Sequence, residues 1–203
     1  CLILNIHVRI EGNGPINPGS LIVANHVGAP DIFVLGSHFN GFFVSKAEIA
    51  DWPLFNWLAR LGKTVFVDRS KRHQVKTLIF QIEQRLNGDH SVILFPEAQA
   101  TDGVDVMPFK SAVFEAAVLS NRPVVPVEIR YHDGHRPTIA YYGDSFISHI
   151  FTLLKTARLT ATVSVMPMIS SDKDRNTLAD KSYQAVHDKH KLTSPYDSSY
   201  NQK

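Results

Sequence analysis

Hydrophobic positions along this chain follow two patterns. Compact apolar runs bounded by Gly, Pro, Asn or Asp predict buried strands at 21–24, 41–46, 92–95 and 124–129. Looser runs predict further strands at 2–10, 64–67, 138–142 and 160–166. Other segments carry a helical period instead. Val75, Leu78, Ile79, Ile82 and Leu86 line one face of a helix that stops near Asn87-Gly88. Further helices are predicted at 32–39, 47–61, 109–119 and 177–187. Strands alternating with helices, and apolar along their length, predict an α/β fold. It is a single domain with a largely buried mixed sheet flanked by helices. That domain is assigned to 1–170, with 171–203 forming a polar C-terminal helix and a partly disordered tail.

Composition narrows the possibilities only modestly. A chain of 203 residues with 44% apolar and 20% charged residues is ordinary for one globular domain. A net charge of +2 is too balanced for a dedicated nucleic-acid binder, and one cysteine excludes both a disulfide framework and a cysteine-based zinc site. The chain begins at Cys1 rather than Met, as expected of a start inside a longer product. No run approaches the roughly 18 apolar residues needed to span a bilayer, and no signal peptide pattern is present.

The stretch Asn25-His26-Val27-Gly28-Ala29-Pro30-Asp31 concentrates the chemistry. His26 and Asp31 would lie roughly 140° apart on a helix and on opposite faces of a strand, so neither regular element pairs them. A turn can, with His26 at a strand end and Asp31 at a helix start behind Pro30. Such a pair orients a histidine as general base. Taken alone, the same residues fit ordinary turn and cap chemistry with His26 incidental. There is no GxSxG elbow, P-loop or GxGxxG. His132-Asp133-Gly134-His135 and His187-Asp188-Lys189-His190 are spaced loosely like metal ligands, but one spans a turn and the other a polar tail, so no metal site is assigned.

Three later blocks give the His-Asp stretch its context: Val65-Phe66-Val67-Asp68-Arg69, Leu94-Phe95-Pro96-Glu97 and Val124-Val125-Pro126-Val127. In this order and spacing, from Leu21 to Arg130, the chain resembles the lysophospholipid and glycerophospholipid acyltransferases. The resemblance implies that His26, oriented by Asp31, deprotonates an acceptor hydroxyl as it attacks a thioester. It also implies that Arg69 grips the acceptor's phosphate, a role that suits a permanently charged bidentate donor. Glu97 would accept from a hydroxyl or amine, or hold Arg69, while Lys46 and Lys110 would add positive charge.

The expected reaction moves a fatty acyl group from acyl-CoA or acyl-acyl carrier protein to a lysolipid. The leading acceptor is 1-acyl-glycerol-3-phosphate and the alternative is a lyso-ornithine or other polar lysolipid, with no cofactor and no nucleic acid. Such an enzyme would sit at the cytoplasmic face of a membrane, peripherally or through segments beyond this chain. Trp52 and Trp57, with Arg60 and Lys63, suit contact with the bilayer surface, although a core helix explains most of the apolar residues at 47–61. The chain departs from the family at Ala98-Gln99, where Gly and Thr are usual, and this departure bears on the acceptor. A Cβ at 98 is expected to restrict positive φ and close backbone approach, and Gln99 brings an extra amide to the acceptor wall. The rivals are a non-catalytic lipid-binding relative and a hydrolase that activates water with His26.

Overall fold

The structure, a computed structural model, describes residues 6–12, 16–46, 65–67, 72–132, 159–171 and 174–193. Arg69, the tryptophan-bearing segment 47–61, the predicted strand at 138–142, the His135 end of the first histidine spacing and the tail beyond 193 lie outside these residues. The elements are β1 (Ile6–Gly12), β2 (Leu21–Ala24), α1 (Pro30–Gly36), β3 (Gly41–Lys46), β4 (Val65–Val67), α2 (Arg72–Asn87) and β5 (Ser91–Leu94). There follow a 3₁₀ turn (Ser111–Phe114), α3 (Glu115–Ser120), β6 (Val124–Tyr131), β7 (Leu159–Val165) and α4 (Arg175–Thr193).

The described strands form one mixed sheet in the order β1-β7-β6-β2-β5-β3-β4. The run from β6 to β4 is parallel; β7 lies antiparallel to β6, and β1 parallel to β7. The sheet is covered on both faces, which is why its central strands are apolar without alternation. Ile22 and Ala24 face a core shared with Val34 and Leu35 of α1. Leu21 and Val23 face the other core, with Leu78, Ile82 and Leu86 of α2 and Leu178, Ala179 and Val186 of α4. Among the described residues no helix is long and apolar enough to cross a membrane.

Register decides where the chemistry lies. Ala24, the last residue of β2, pairs with Val127, so β6 runs on past the end of its neighbour from Glu128 to Tyr131. This overhang lies beside the carboxyl ends of the central parallel strands, the end of open α/β sheets at which ligands bind. Three of the differences from the pattern-based expectation have a cause visible in the structure. β6 extends two residues beyond 129, because Glu128 and Arg130 pair with each other inside the protein instead of ending the strand. The single helix predicted at 109–119 is a 3₁₀ turn followed by α3, because Lys110 stays extended, its N–H donating to Pro96 O at 3.0 Å. The C-terminal helix is longer than 177–187, and its Leu178 and Val186 are fully buried.

Candidate active site

Where β2 ends, Asn25 substitutes for further strand pairing. Its Nδ2 donates to Ile129 O at 3.0 Å and its Oδ1 accepts from Ile129 N at 2.7 Å, both buried. The chain then turns through Gly28, whose carbonyl accepts from Asp31 N at 3.1 Å, and Pro30 opens α1. Its fixed φ and missing N–H suit that position.

Asp31 is fully buried and saturated with donors. Oδ2 accepts from Val27 N at 2.7 Å and Gly28 N at 3.0 Å, and lies 2.8 Å from His26 Nδ1. Oδ1 accepts from the Tyr131 hydroxyl at 2.6 Å. A carboxylate oxygen already taking two main-chain N–H bonds is an acceptor, so Nδ1 of His26 carries a proton, and in the neutral imidazole it is Nε2 that has the lone pair.

The rest of His26 is equally constrained. Its ring stacks on Phe95, with centroids 4.2 Å apart and planes inclined by 15°. Its N–H donates to Glu97 Oε1 at 2.7 Å, and its carbonyl accepts from Thr101 N at 2.8 Å and Thr101 Oγ1 at 3.2 Å. The side chain is 22% exposed. Main chain, ring face and Nδ1 are all held, and among the described residues no hydrogen-bond partner engages Nε2, the nitrogen available for chemistry.

Glu97 therefore stands beside His26, but its carboxylate is turned to the main chain. Its second oxygen accepts from Met107 N at 3.0 Å, so the side chain ties the histidine loop to the loop before the 3₁₀ turn. Of the partners expected for Glu97, Arg69 lies outside the described residues; the two main-chain amides are the donors that its oxygens meet among the described ones. Burial raises its carboxyl from 4.5 to about 7; the Met107 and His26 amides and the charge of His26 pull it down, and the charge of Asp31 adds to the rise.

Ala98 adopts φ 64°, so its Cβ does not prevent the left-handed conformation, contrary to the expectation from sequence. Gln99 is exposed, and its Nε2 donates to Met107 Sδ at 3.0 Å. Lys110 is exposed at the start of the 3₁₀ turn, and Lys46 closes β3.

The histidine spacings have other partners. His132 Nε2 lies 2.7 Å from Thr162 Oγ1. His190 is buried with Nδ1 at 3.1 Å from Glu128 Oε1 and Nε2 at 3.3 Å from Val104 O. Among the described residues, no group of three or more His, Cys, Asp or Glu side chains is disposed to hold a metal ion.

Sequence reasoning missed Asn25 as a strand surrogate, Phe95 as the stacking ring, Thr101 and Tyr131. Only Tyr131 left a usable signal, because a period of two carried on from Val127 and Ile129 reaches it.

A family model described as "Acyltransferase" matches residues 5–130, more than half of the chain. The chain belongs to the acyltransferase family. Its relatives include a lyso-ornithine lipid O-acyltransferase of Rhodobacter capsulatus, 35% identical over 77% of this chain and 59% of that protein. A 1-acyl-sn-glycerol-3-phosphate acyltransferase of Neisseria gonorrhoeae is 29% identical over 90% of this chain and 74% of that protein. The chain thus spans less than two thirds of the Rhodobacter relative's length. The crystal structure of the 1-acyl-sn-glycerophosphate acyltransferase from Thermotoga maritima superposes with a TM-score of 0.69 at 22% identity, covering 96% of this chain and 75% of that one. That likeness establishes the family's α/β fold for this chain, and the motif resemblance read from Leu21 to Arg130 lies within the region that the family model matches.

Proposed function

We propose that this chain is an O-acyltransferase moving a fatty acyl group from acyl-CoA or acyl-acyl carrier protein to the free hydroxyl of a lysolipid. The observation that carries the reading is His26 Nδ1 held 2.8 Å from Asp31 Oδ2, which gives Nε2 the part of the base. In the proposed reaction Nε2 takes the proton of the acceptor hydroxyl as its oxygen attacks the thioester carbonyl. Asp31 stabilises the resulting imidazolium. Collapse of the tetrahedral intermediate breaks the C–S bond, and the proton on Nε2 passes to the departing thiolate. An ester and a free thiol result. The acceptor is itself the nucleophile, so no acyl-enzyme forms.

Two acceptors have separate support. The phosphate-binding role that the family resemblance gives Arg69 favours 1-acyl-glycerol-3-phosphate. Lyso-ornithine lipid is favoured by the 35% identity to the Rhodobacter enzyme and by the departure at Ala98-Gln99. A lysolipid resides in a bilayer, so the reaction would take place at a membrane surface, on the cytoplasmic side where thioester carriers are made.

The test supplies acyl-CoA or acyl-acyl carrier protein and a panel of lysolipids in detergent micelles, and follows thiol release together with ester product. We expect acceptor-dependent product, and His26→Ala to lower turnover by roughly 10²–10⁴-fold in folded protein. Near-normal turnover by His26→Ala would overturn the general-base reading. Thiol release without acceptor would indicate a hydrolase, and lipid binding without turnover a non-catalytic relative. Arg69→Ala should raise the KM for the phosphate-bearing acceptor and spare the ornithine one; equal effects on both would remove the phosphate-grip role.

A further inference from the structure

Tyr131 ends β6 one residue beyond the stretch that the family model matches. Its side chain is 1% exposed, within the core that packs against α1. Its hydroxyl donates to Asp31 Oδ1 at 2.6 Å across 100 residues of sequence. The other oxygen of Asp31 meets Val27 N, Gly28 N and His26 Nδ1. The two oxygens thus have divided tasks: Oδ2 holds the histidine loop, and Oδ1 is anchored to the sheet.

Two physical consequences follow. A carboxylate can rotate about its Cβ–Cγ bond, and that rotation would swing Oδ2 out of line with Nδ1. The bond from Tyr131 opposes it. The geometry is reproducible because β6 is itself held in register: Ile129 is locked to Asn25, while Tyr131 pairs with Ala161 of β7. The phenol also draws electron density toward Oδ1. Less charge is then offered to His26, the proton stays on Nδ1, and Nε2 remains the proton acceptor.

We propose that Tyr131 is a positioning residue for acyl transfer, its hydroxyl fixing the plane and charge of Asp31 and acting through Asp31 on His26. The assignment rests on the general-base reading of His26. Tyr131 touches no reacting atom, so its effect belongs in kcat rather than in substrate affinity.

The experiment is a double-mutant cycle on the whole chain with acyl-CoA and the better lysolipid acceptor, comparing Tyr131→Phe, Asp31→Asn and the double variant. Tyr131→Phe keeps the ring and deletes only the donor. We expect kcat to fall by about tenfold, with both KM values within about twofold. In the Asp31→Asn background the same change should cost less than about twofold, because residues acting as a unit are not additive. An unchanged kcat, a loss confined to KM, or additive losses would overturn the proposal.

A spectroscopic signature covers the case in which Tyr131→Phe folds poorly. The His26 Nδ1–H proton resonance, identified by its loss in His26→Ala, should move upfield when 3-fluorotyrosine, a stronger donor of nearly the same shape, replaces Tyr131. A resonance that stays in place would overturn the proposal. Failure here is distinct from failure of the general-base reading. That reading falls if His26→Ala is active, whereas this one falls if His26→Ala is inactive and Tyr131→Phe is not impaired.

Discussion

Ala98 holds φ at 64°, a conformation that costs an L-residue about 1–2 kcal/mol relative to glycine. The surrounding bonds leave it little choice. Its N–H donates to Phe95 O at 3.1 Å, and the preceding Glu97 is fastened by both oxygens. The Cβ at 98 thus loads the backbone itself. Ala98→Gly should therefore stabilise the protein by about 1 kcal/mol, raising the melting temperature by about 2–4 °C in a thermal scan. It should leave the ratio of kcat/KM for the two acceptors unchanged. Gln99→Thr, which alters an exposed amide on the same loop, should be the change that moves that ratio toward 1-acyl-glycerol-3-phosphate. The opposite pattern, a shifted ratio from Ala98→Gly with no gain in melting temperature, would return the acceptor effect to position 98.

Among the elements, α4 departs furthest from what its sequence suggests. The buried positions include Leu178, Ala179, Ser182, Val186 and His190, a helical stripe in which two members are polar. Ser182 and His190 dilute the apolar period, so 171–203 reads as a polar appendage, whereas α4 closes one face of the sheet. Its start is clear: Asp174 Oδ1 accepts from Asn176 N at 2.9 Å and Thr177 N at 3.2 Å, an N-cap arrangement. Leu178→Ala should accordingly cost about 2–5 kcal/mol in urea denaturation, the range for a fully buried leucine, rather than the few tenths expected of a solvated helix. A loss under about 1 kcal/mol would mean that α4 packs only loosely. The strands were easier to read. The runs at 21–24 and 41–46 coincide with β2 and β3, and in β2, covered on both faces, the apolar signal is unbroken.

For the whole molecule, Glu97 links the site to global stability. Its folded-state carboxyl is raised from 4.5 to about 7, chiefly by burial. Below about 4.5 both folded and unfolded chains hold the proton. Between 4.5 and about 7 the folded chain retains a proton that the unfolded chain has released. The stability from this group is therefore complete in acid and is lost as pH rises through that window, by up to about 3 kcal/mol. Urea denaturation at pH 5 and pH 7.5 should show this fall in the wild type and not in Glu97→Gln. An identical pH slope in both would exclude Glu97 as its source. Glu97→Gln should also be less stable at pH 5, because its amide cannot accept from both main-chain N–H groups at once. The sequence by itself determined the buried strands, the turn after β2 and the His26-Asp31 pair, since apolar runs, turn residues and a five-residue separation are local features. Only the tertiary structure decided what holds that pair. Glu97 lies 71 residues from His26, and Tyr131 lies 100 residues from Asp31. They meet the site only because β5, β2 and β6 lie side by side in one register, and a slip of a single residue would turn Tyr131 to the opposite face.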